Sequence, residues 1–257
     1  MTLRIAFPHG PSRPLVLGHR GASALAPENT CAAFALALSQ GADGFELDVW
    51  RCGSGEVVVI HDEDARRVAG LPARVTAEPL EGLRALDVGS WRGPAFRGER
   101  IPLLQEVLEK FPSAVVNVEL KAGSLPDPRL AAAAARVLRS AGAASRVVVS
   151  SFSAFLLGAF RLAAPEIPTG FLVDRRRVWR ARAALCTGLL QAPGLHPSHE
   201  LITPERARRW TRRGLSLAAW TVDEPEEVER LCSLGVAALI TNVPGRTREV
   251  VRRISGR

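Results

Sequence analysis

A chain of 257 residues with 47% apolar side chains can bury a large core, which excludes disorder and leaves room for one α/β barrel or two small domains. No apolar run approaches the roughly 18 residues that span a bilayer, and the segment Met1–Gly10 lacks the charged region, apolar stretch and cleavage site of a signal peptide. The expectation is therefore a cytoplasmic protein with no stable membrane anchor. The net charge of +8 comes almost wholly from arginine, Lys110 and Lys121 being the only lysines.

The elements follow in chain order. Leu15-Val16-Leu17 reads as a strand running into Gly18-His19. A helix is predicted from about Thr30 to Gln40, capped by Asn29 or Thr30 and stopped by Gly41. Gly44–Val49 and Val57–Ile60 read as strands, the second as a side strand. Residues 62–100 are irregular, with one short helical piece around Leu80–Leu86, and read as an insertion over one end of the fold. Pro102-Leu103-Leu104 opens a helix to about Lys110. The alternation then becomes regular. Strands are predicted at Val115–Leu120, Arg146–Ser150, Thr169–Val173, Gly188–Gln191, Leu215–Trp220 and Ala237–Thr241. Helices are predicted at Leu130–Ser140, Ala154–Leu162, Arg175–Leu185, Pro204–Arg213, Glu224–Leu234 and Arg246–Arg253.

With the side strand set apart, the chain holds about eight β-then-α units, which predicts a single TIM-type (β/α)8 barrel over residues 1–257 with a small insertion after the second strand. An open doubly wound sheet is the runner-up, but no Gly-x-Gly-x-x-Gly follows the first strand. Cys31, Cys52, Cys186 and Cys232 are scattered, which predicts reduced thiols and neither a zinc site nor a disulfide framework. The arginine clusters at 175–182 and 206–213 lie in helix-like stretches without interleaved aromatics. Solvated helix faces are expected there, and no nucleic-acid partner.

Strand side chains alternate between faces, so Glu46 and Asp48 share one face while Phe45, Leu47 and Val49 share the other. The same alternation puts Asn117, Glu119 and Lys121 opposite Val116, Val118 and Leu120. In a parallel barrel the polar faces point inward, where unpaired charge is costly. Glu119, on the neighbouring barrel strand, can approach Glu46 and Asp48. Three oxygen ligands suit a hard divalent cation, Ca²⁺ or Mg²⁺. A salt-bridge layer in which Lys121 neutralises one acid satisfies the same pattern, and both readings stay open. His19 and His61 each end an apolar run at the rim where barrel loops build active sites. Two histidines of opposite protonation suit the acid and base of phosphoryl transfer. Arg20, between Gly18 and Gly21, can fork onto phosphate oxygens, and Lys121 can add a point charge. His9 reads as tail, and His196 as rim after the sixth strand.

These residues fall in Gly-His-Arg-Gly (18–21), Pro-Glu-Asn-Thr (27–30), Glu-Leu-Asp-Val (46–49), His-Asp (61–62), Val-Glu-Leu-Lys (118–121), Ser-Ser-Phe (150–152), Trp-Thr-Val (220–222) and Ile-Thr-Asn-Val-Pro (240–244). In this order and spacing the chain resembles the glycerophosphodiester phosphodiesterases over about residues 14–245. The resemblance implies a metal-dependent hydrolase that yields glycerol 3-phosphate and an alcohol from a small glycerophosphodiester. It implies one divalent cation on Glu46, Asp48 and Glu119, an acid/base pair in His19 and His61, phosphate contacts from Arg20 and Lys121, and a pocket wall in Trp220. The nucleophile would be the glycerol 2-hydroxyl, through a cyclic phosphate, or a water. Two departures stand out. Ala65 and Val68-Ala69-Gly70 replace a leucine and a threonine-glycine stretch, and Asp223 stands where asparagine is common. A sphingomyelinase-D-like enzyme, favoured by secretion and apolar loops that are not evident in the sequence, and an idle barrel that only binds a phosphorylated ligand are the alternatives.

Overall fold

Strands that are apolar on one face and polar on the other need cover on both, and this chain provides it by closing its sheet. In the computed structural model, which describes residues 13–174 and 193–256, the barrel runs β1 (Leu15–His19), β2 (Gly44–Arg51), β4 (Val115–Leu120), β5 (Val147–Ser151), β6 (Thr169–Val173), β7 (Gly194–Pro197), β8 (Ser216–Ala219) and β9 (Ala238–Thr241). All these pairings are parallel, and β9 returns to β1. β3 (Val57–Val59) lies outside, antiparallel to β2, with Val58 opposite Trp50. The predicted closed barrel and its side strand are both present.

Helices α1 (Cys31–Ser39), α4 (Leu104–Lys110), α5 (Pro128–Ser140), α6 (Ala154–Ala163), α7 (Pro204–Thr211), α8 (Pro225–Ser233) and α9 (Pro244–Ser255) connect or follow the strands, and the short α2 (Arg66–Ala69) and α3 (Leu80–Ala85) lie in the insertion. Thr30 Oγ1 accepts from the Ala33 amide and starts α1. Helix α5 begins two residues before its predicted start because Asp127 caps it and Pro128 needs no amide partner at the first helical position. Arg206, Arg208, Arg209, Arg212 and Arg213 are all exposed, the solvated face expected of that cluster.

The sixth barrel strand differs from expectation. The strand predicted at Gly188–Gln191, the helix at Arg175–Leu185 with its arginine cluster, Cys186 and His9 lie outside the described residues. The sixth position is filled by Gly194–Pro197, a segment too short and too rich in glycine and proline to read as a strand alone. Pairing with β6 on one side and β8 on the other defines it. His196 is accordingly inside a strand and fully buried, not on the rim.

The outer faces of β2 and β4 supply Phe45, Leu47, Val49, Val116, Val118 and Leu120 to one cluster with α1, α4 and α5. Phe34 stacks on Phe45 with centroids 4.3 Å apart and is fully buried. Phe34→Ala should lower the unfolding free energy by about 3–5 kcal/mol, measured by denaturant titration, because this interior cannot close over the vacated ring. A Cβ on Gly44 would stand 1.8 Å from the Val115 carbonyl oxygen, so glycine there lets β2 approach β4 and brings their polar faces together. Inside the barrel, Leu15, Leu17, Val148, Ala218, Ala238 and Ile240 form a separate apolar layer. The insertion has its own core against β3. Ala65 and Val68, at the first departure from the family pattern, are buried in it with Trp50, Val58, Ile60 and Leu83. Cys31, Cys52 and Cys232 are free thiols.

Candidate active site

The interior faces of β2 and β4 set the acids. Asp48 and Glu119 are direct partners across the ladder. Glu46, Asp48 and Glu119 each offer a carboxylate oxygen to one point, these atoms lying within 4.8 Å of one another. Glu46 is 3% and Asp48 1% exposed. Lys121, just past the end of β4, puts Nζ 2.9 Å from Glu119 and 3.2 Å from Asp48. Arg20, just past β1, puts Nε 3.2 Å from Asp48 and Nη1 3.0 Å from Glu28.

The turn after β1 has a backbone reason for its sequence. Arg20 has φ +55° and Gly21 φ +85°. In this left-handed turn the Arg20 amide donates to Glu46 Oε2 at 3.0 Å. A Cβ on Gly21 would lie 2.5 Å from the Ala33 backbone, so only glycine lets the turn pack on α1. The Pro-Glu-Asn-Thr segment closes over the same point. Asn29 donates from Nδ2 to Asp48 Oδ2 at 2.8 Å, and Glu28 takes a bidentate pair from Arg67 at 2.7 Å.

The side strand delivers His61. The Ile60 amide donates to the Asp48 carbonyl, and Trp50 Nε1 donates to the His61 carbonyl at 3.1 Å. His61 Nδ1 lies 2.7 Å from Asp62 Oδ1, and Arg67 Nε holds the other Asp62 oxygen at 2.7 Å. His19 Nδ1 lies 2.8 Å from Asn242 Oδ1. All seven polar residues singled out in the sequence thus converge. His61 is near enough to His19 for its charge to oppose protonation of that ring. Sequence reasoning missed Glu28, Asn29, Asp62, Arg67, Asp223 and Asn242 as parts of the site. The signal for four of them was present in Pro-Glu-Asn-Thr, His-Asp and Ile-Thr-Asn-Val-Pro, whose side chains went unassigned.

Two openings flank the acid cluster. One, of about 600 Å³, is lined by Glu119, Lys121, Ser151, Phe152, Phe171 and Asp174. The other, of about 360 Å³, is lined by His19, Arg20, Glu28, Trp91, Asp223 and Asn242. Trp220, just beyond β8, packs edge-on against Phe152 with centroids 5.6 Å apart, and its Nε1 donates to the His196 carbonyl at 2.7 Å. It therefore backs the wall of the first opening. Leu25, Trp91, Leu125 and Phe155, all on segments at this face, are exposed.

Burial and charge decide the protonation states. Burial, Asp48 and Glu119 push the Glu46 carboxyl well up, against Arg20. Burial and Asp48 raise Glu119 to about 7 against the pull of Lys121. For Asp48, burial raises the pKa but Lys121 and Arg20 outweigh it, so this carboxyl stays ionised far below the usual range. Burial and Arg20 lower His19 to about 4. Burial lowers His61 too, with Asp48 pulling the other way. Three buried carboxylates thus face two cationic side chains, and the two glutamates carry the shortfall as raised pKa values. The salt-bridge layer is real but short of positive charge. An all-oxygen donor set with that deficit fits a hard divalent cation.

A barrel mouth with an arginine and a lysine set about an acid cluster offers the charges that hold a phosphate ester, and the homologues place the chain among the phosphodiester hydrolases. A model of the glycerophosphoryl diester phosphodiesterase family matches residues 19–246, and the chain belongs to that family, which is metal-dependent. It is 37% identical over 243 residues to a glycerophosphodiester phosphodiesterase of Caldanaerobacter subterraneus, covering 94% of this chain and 99% of that one. Its structure is similar to a glycerophosphoryl diester phosphodiesterase of Silicibacter pomeroyi, with TM-score 0.87, 28% identity and coverage of 98% and 97%. It is also similar to a phosphodiesterase of Oleispira antarctica in complex with its product sn-glycerol-3-phosphate, with TM-score 0.84, 28% identity and coverage of 93% and 97%.

Proposed function

We propose that this chain hydrolyses glycerophosphodiesters to glycerol 3-phosphate and an alcohol in the turnover of deacylated phospholipids. The observation that carries the reading is the convergence of His19, His61, Arg20 and Lys121 on the carboxylate trio of a chain in this family. Glu46, Asp48 and Glu119 would hold one Ca²⁺ or Mg²⁺. When bound, that ion would act as a Lewis acid toward the phosphoryl oxygens. Among the described residues Cys31, Cys52 and Cys232 are free thiols, which supports a cytoplasmic placement. Among the described residues, no helix is long and apolar enough to cross a membrane.

Arg20 is pinned by Asp48 and Glu28, which sets the plane of its guanidinium and leaves its other N–H donors for a phosphoryl oxygen. Lys121 sits on the opposite side of Asp48 and contributes a second positive charge to the same oxygens. The two histidines divide the proton work by their partners. His19 Nδ1 faces a neutral amide and the ring is held neutral by burial and Arg20, so Nε2 is the base that takes the proton of the attacking hydroxyl. Burial lowers the His61 ring as well, but Asp48 and the Asp62 carboxylate on Nδ1 pull against it, so of the two rings His61 is the one suited to carry the proton to the leaving alcohol. Glycerol 3-phosphate release from glycerophosphocholine tests the activity. Release should stop with EDTA and return with Ca²⁺ or Mg²⁺, the better ion naming the cofactor. No release with any divalent ion would sink the proposal.

A further inference from the structure

Behind His19 lies a chain of hydrogen bonds in which each link dictates the next. Asp223, just after β8, accepts at Oδ1 from Thr241 Oγ1 at 3.0 Å and from the Asn242 amide at 2.8 Å. Its Oδ2 is 2.6 Å from Asn242 Nδ2. A carboxylate offers acceptors only, so the nitrogen end of the Asn242 side chain must face Asp223 and the oxygen end must face His19. That oxygen also accepts from Ser23 Oγ at 2.7 Å, which holds it as an acceptor. The imidazole nitrogen 2.8 Å away must then be the donor. Nδ1 carries the hydrogen, and Nε2 keeps the lone pair.

We propose that Asp223 is a positioning residue for the hydrolysis, acting through the Asn242 amide to hold His19 in the tautomer whose Nε2 can accept a proton. The proposal rests on the reading of His19 as the base. It also gives the second departure from the family pattern a physical meaning. An asparagine at 223 could present either end of its amide, whereas Asp223 can present only acceptors and so fixes the direction of the whole chain. Its partner at 242 must be an amide for the same reason, because two facing carboxylates would repel. His61 is fixed by the same logic in one step, since Asp62 is held by Arg67 and accepts from Nδ1. Both rings therefore keep a hydrogen on Nδ1 but differ in the charge behind them.

The test uses Asp223→Ala, Asp223→Asn and the exchanged pair Asp223→Asn with Asn242→Asp, each saturated with Ca²⁺ or Mg²⁺. Ring ¹⁵N spectra should show His19 as the Nδ1–H tautomer in the parent and as a mixture in Asp223→Ala. In that variant kcat on glycerophosphocholine should fall by about 10²-fold with KM unchanged. Asp223→Asn should lie between. The exchanged pair restores every link, with the new carboxylate at 242 accepting from His19 and the new amide at 223 donating to that carboxylate. It should recover the Nδ1–H tautomer, which a loss of packing would not allow, while kcat stays below that of the parent because the carboxylate now behind His19 favours the charged ring. An unchanged His19 tautomer in both Asp223→Ala and Asp223→Asn overturns the proposal, as does an exchanged pair whose His19 tautomer is as mixed as that of Asp223→Ala. A lost tautomer with full turnover upholds the positioning by Asp223 and overturns instead the assignment of His19 as base.

Discussion

Turnover of glycerophosphocholine should fall by about 10²–10⁴-fold in both His19→Ala and His61→Ala, the range that general acid–base catalysis supplies. The two variants should then differ on an activated substrate, a glycerophosphodiester whose leaving group is a nitrophenol. Such a group departs without a proton, so His61→Ala should recover most of its loss, while His19→Ala, which lacks the base, should not. The asymmetry follows from what stands behind each ring, an amide at 2.8 Å for His19 and a carboxylate at 2.7 Å for His61. Recovery in His19→Ala and not in His61→Ala would exchange the two roles. Full turnover by either variant on glycerophosphocholine would remove that residue from the mechanism.

Asp48→Asn and Glu119→Gln should separate the site's two functions. Both should lose divalent-cation binding by calorimetry and, with it, hydrolysis. Only Asp48→Asn should also destabilise the fold. Asp48 is the hub of the cluster, contacted by Lys121 Nζ and Arg20 Nε at 3.2 Å and by Asn29 Nδ2 at 2.8 Å. Neutralising it leaves two buried cations without their shared partner, a loss of about 3–5 kcal/mol in denaturant titration. Glu119 is different, because burial and Asp48 already raise its carboxyl to about 7. Glu119→Gln removes a charge the apo site holds with difficulty, so its unfolding free energy should match or exceed that of the parent. Equal destabilisation by the two substitutions would contradict the hub assignment.

The acids were legible in the sequence because a strand repeats every two residues. Once Phe45, Leu47 and Val49 are given to the helices, Glu46 and Asp48 have nowhere to point but inward. The same argument found Glu119 and Lys121 one strand over, and β2 and β4 do pair in that register. The short strand Gly194–Pro197 was not legible, since only its neighbours on both sides make it a strand. His196, read as rim, is buried for that reason. Glu28 and Asn29 were visible as a motif but not as contacts. What each touches depends on the left-handed turn at Arg20 and on α1 packing behind it.

What the sequence by itself determined is the set of chemical groups and the barrel that displays them, because apolar periodicity and turn signals act over a few residues and need no knowledge of distant parts. What only the tertiary structure decided is the state of those groups. His19 takes its tautomer from Asp223 and Asn242, the latter 223 positions further along the chain. Asp48 stays charged while Glu46 and Glu119 are pushed toward neutrality, because Arg20 and Lys121 both reach the middle acid. Hydrogen-bond direction and local charge depend on distances of a few ångströms between segments far apart in sequence, and only the closed barrel sets those distances.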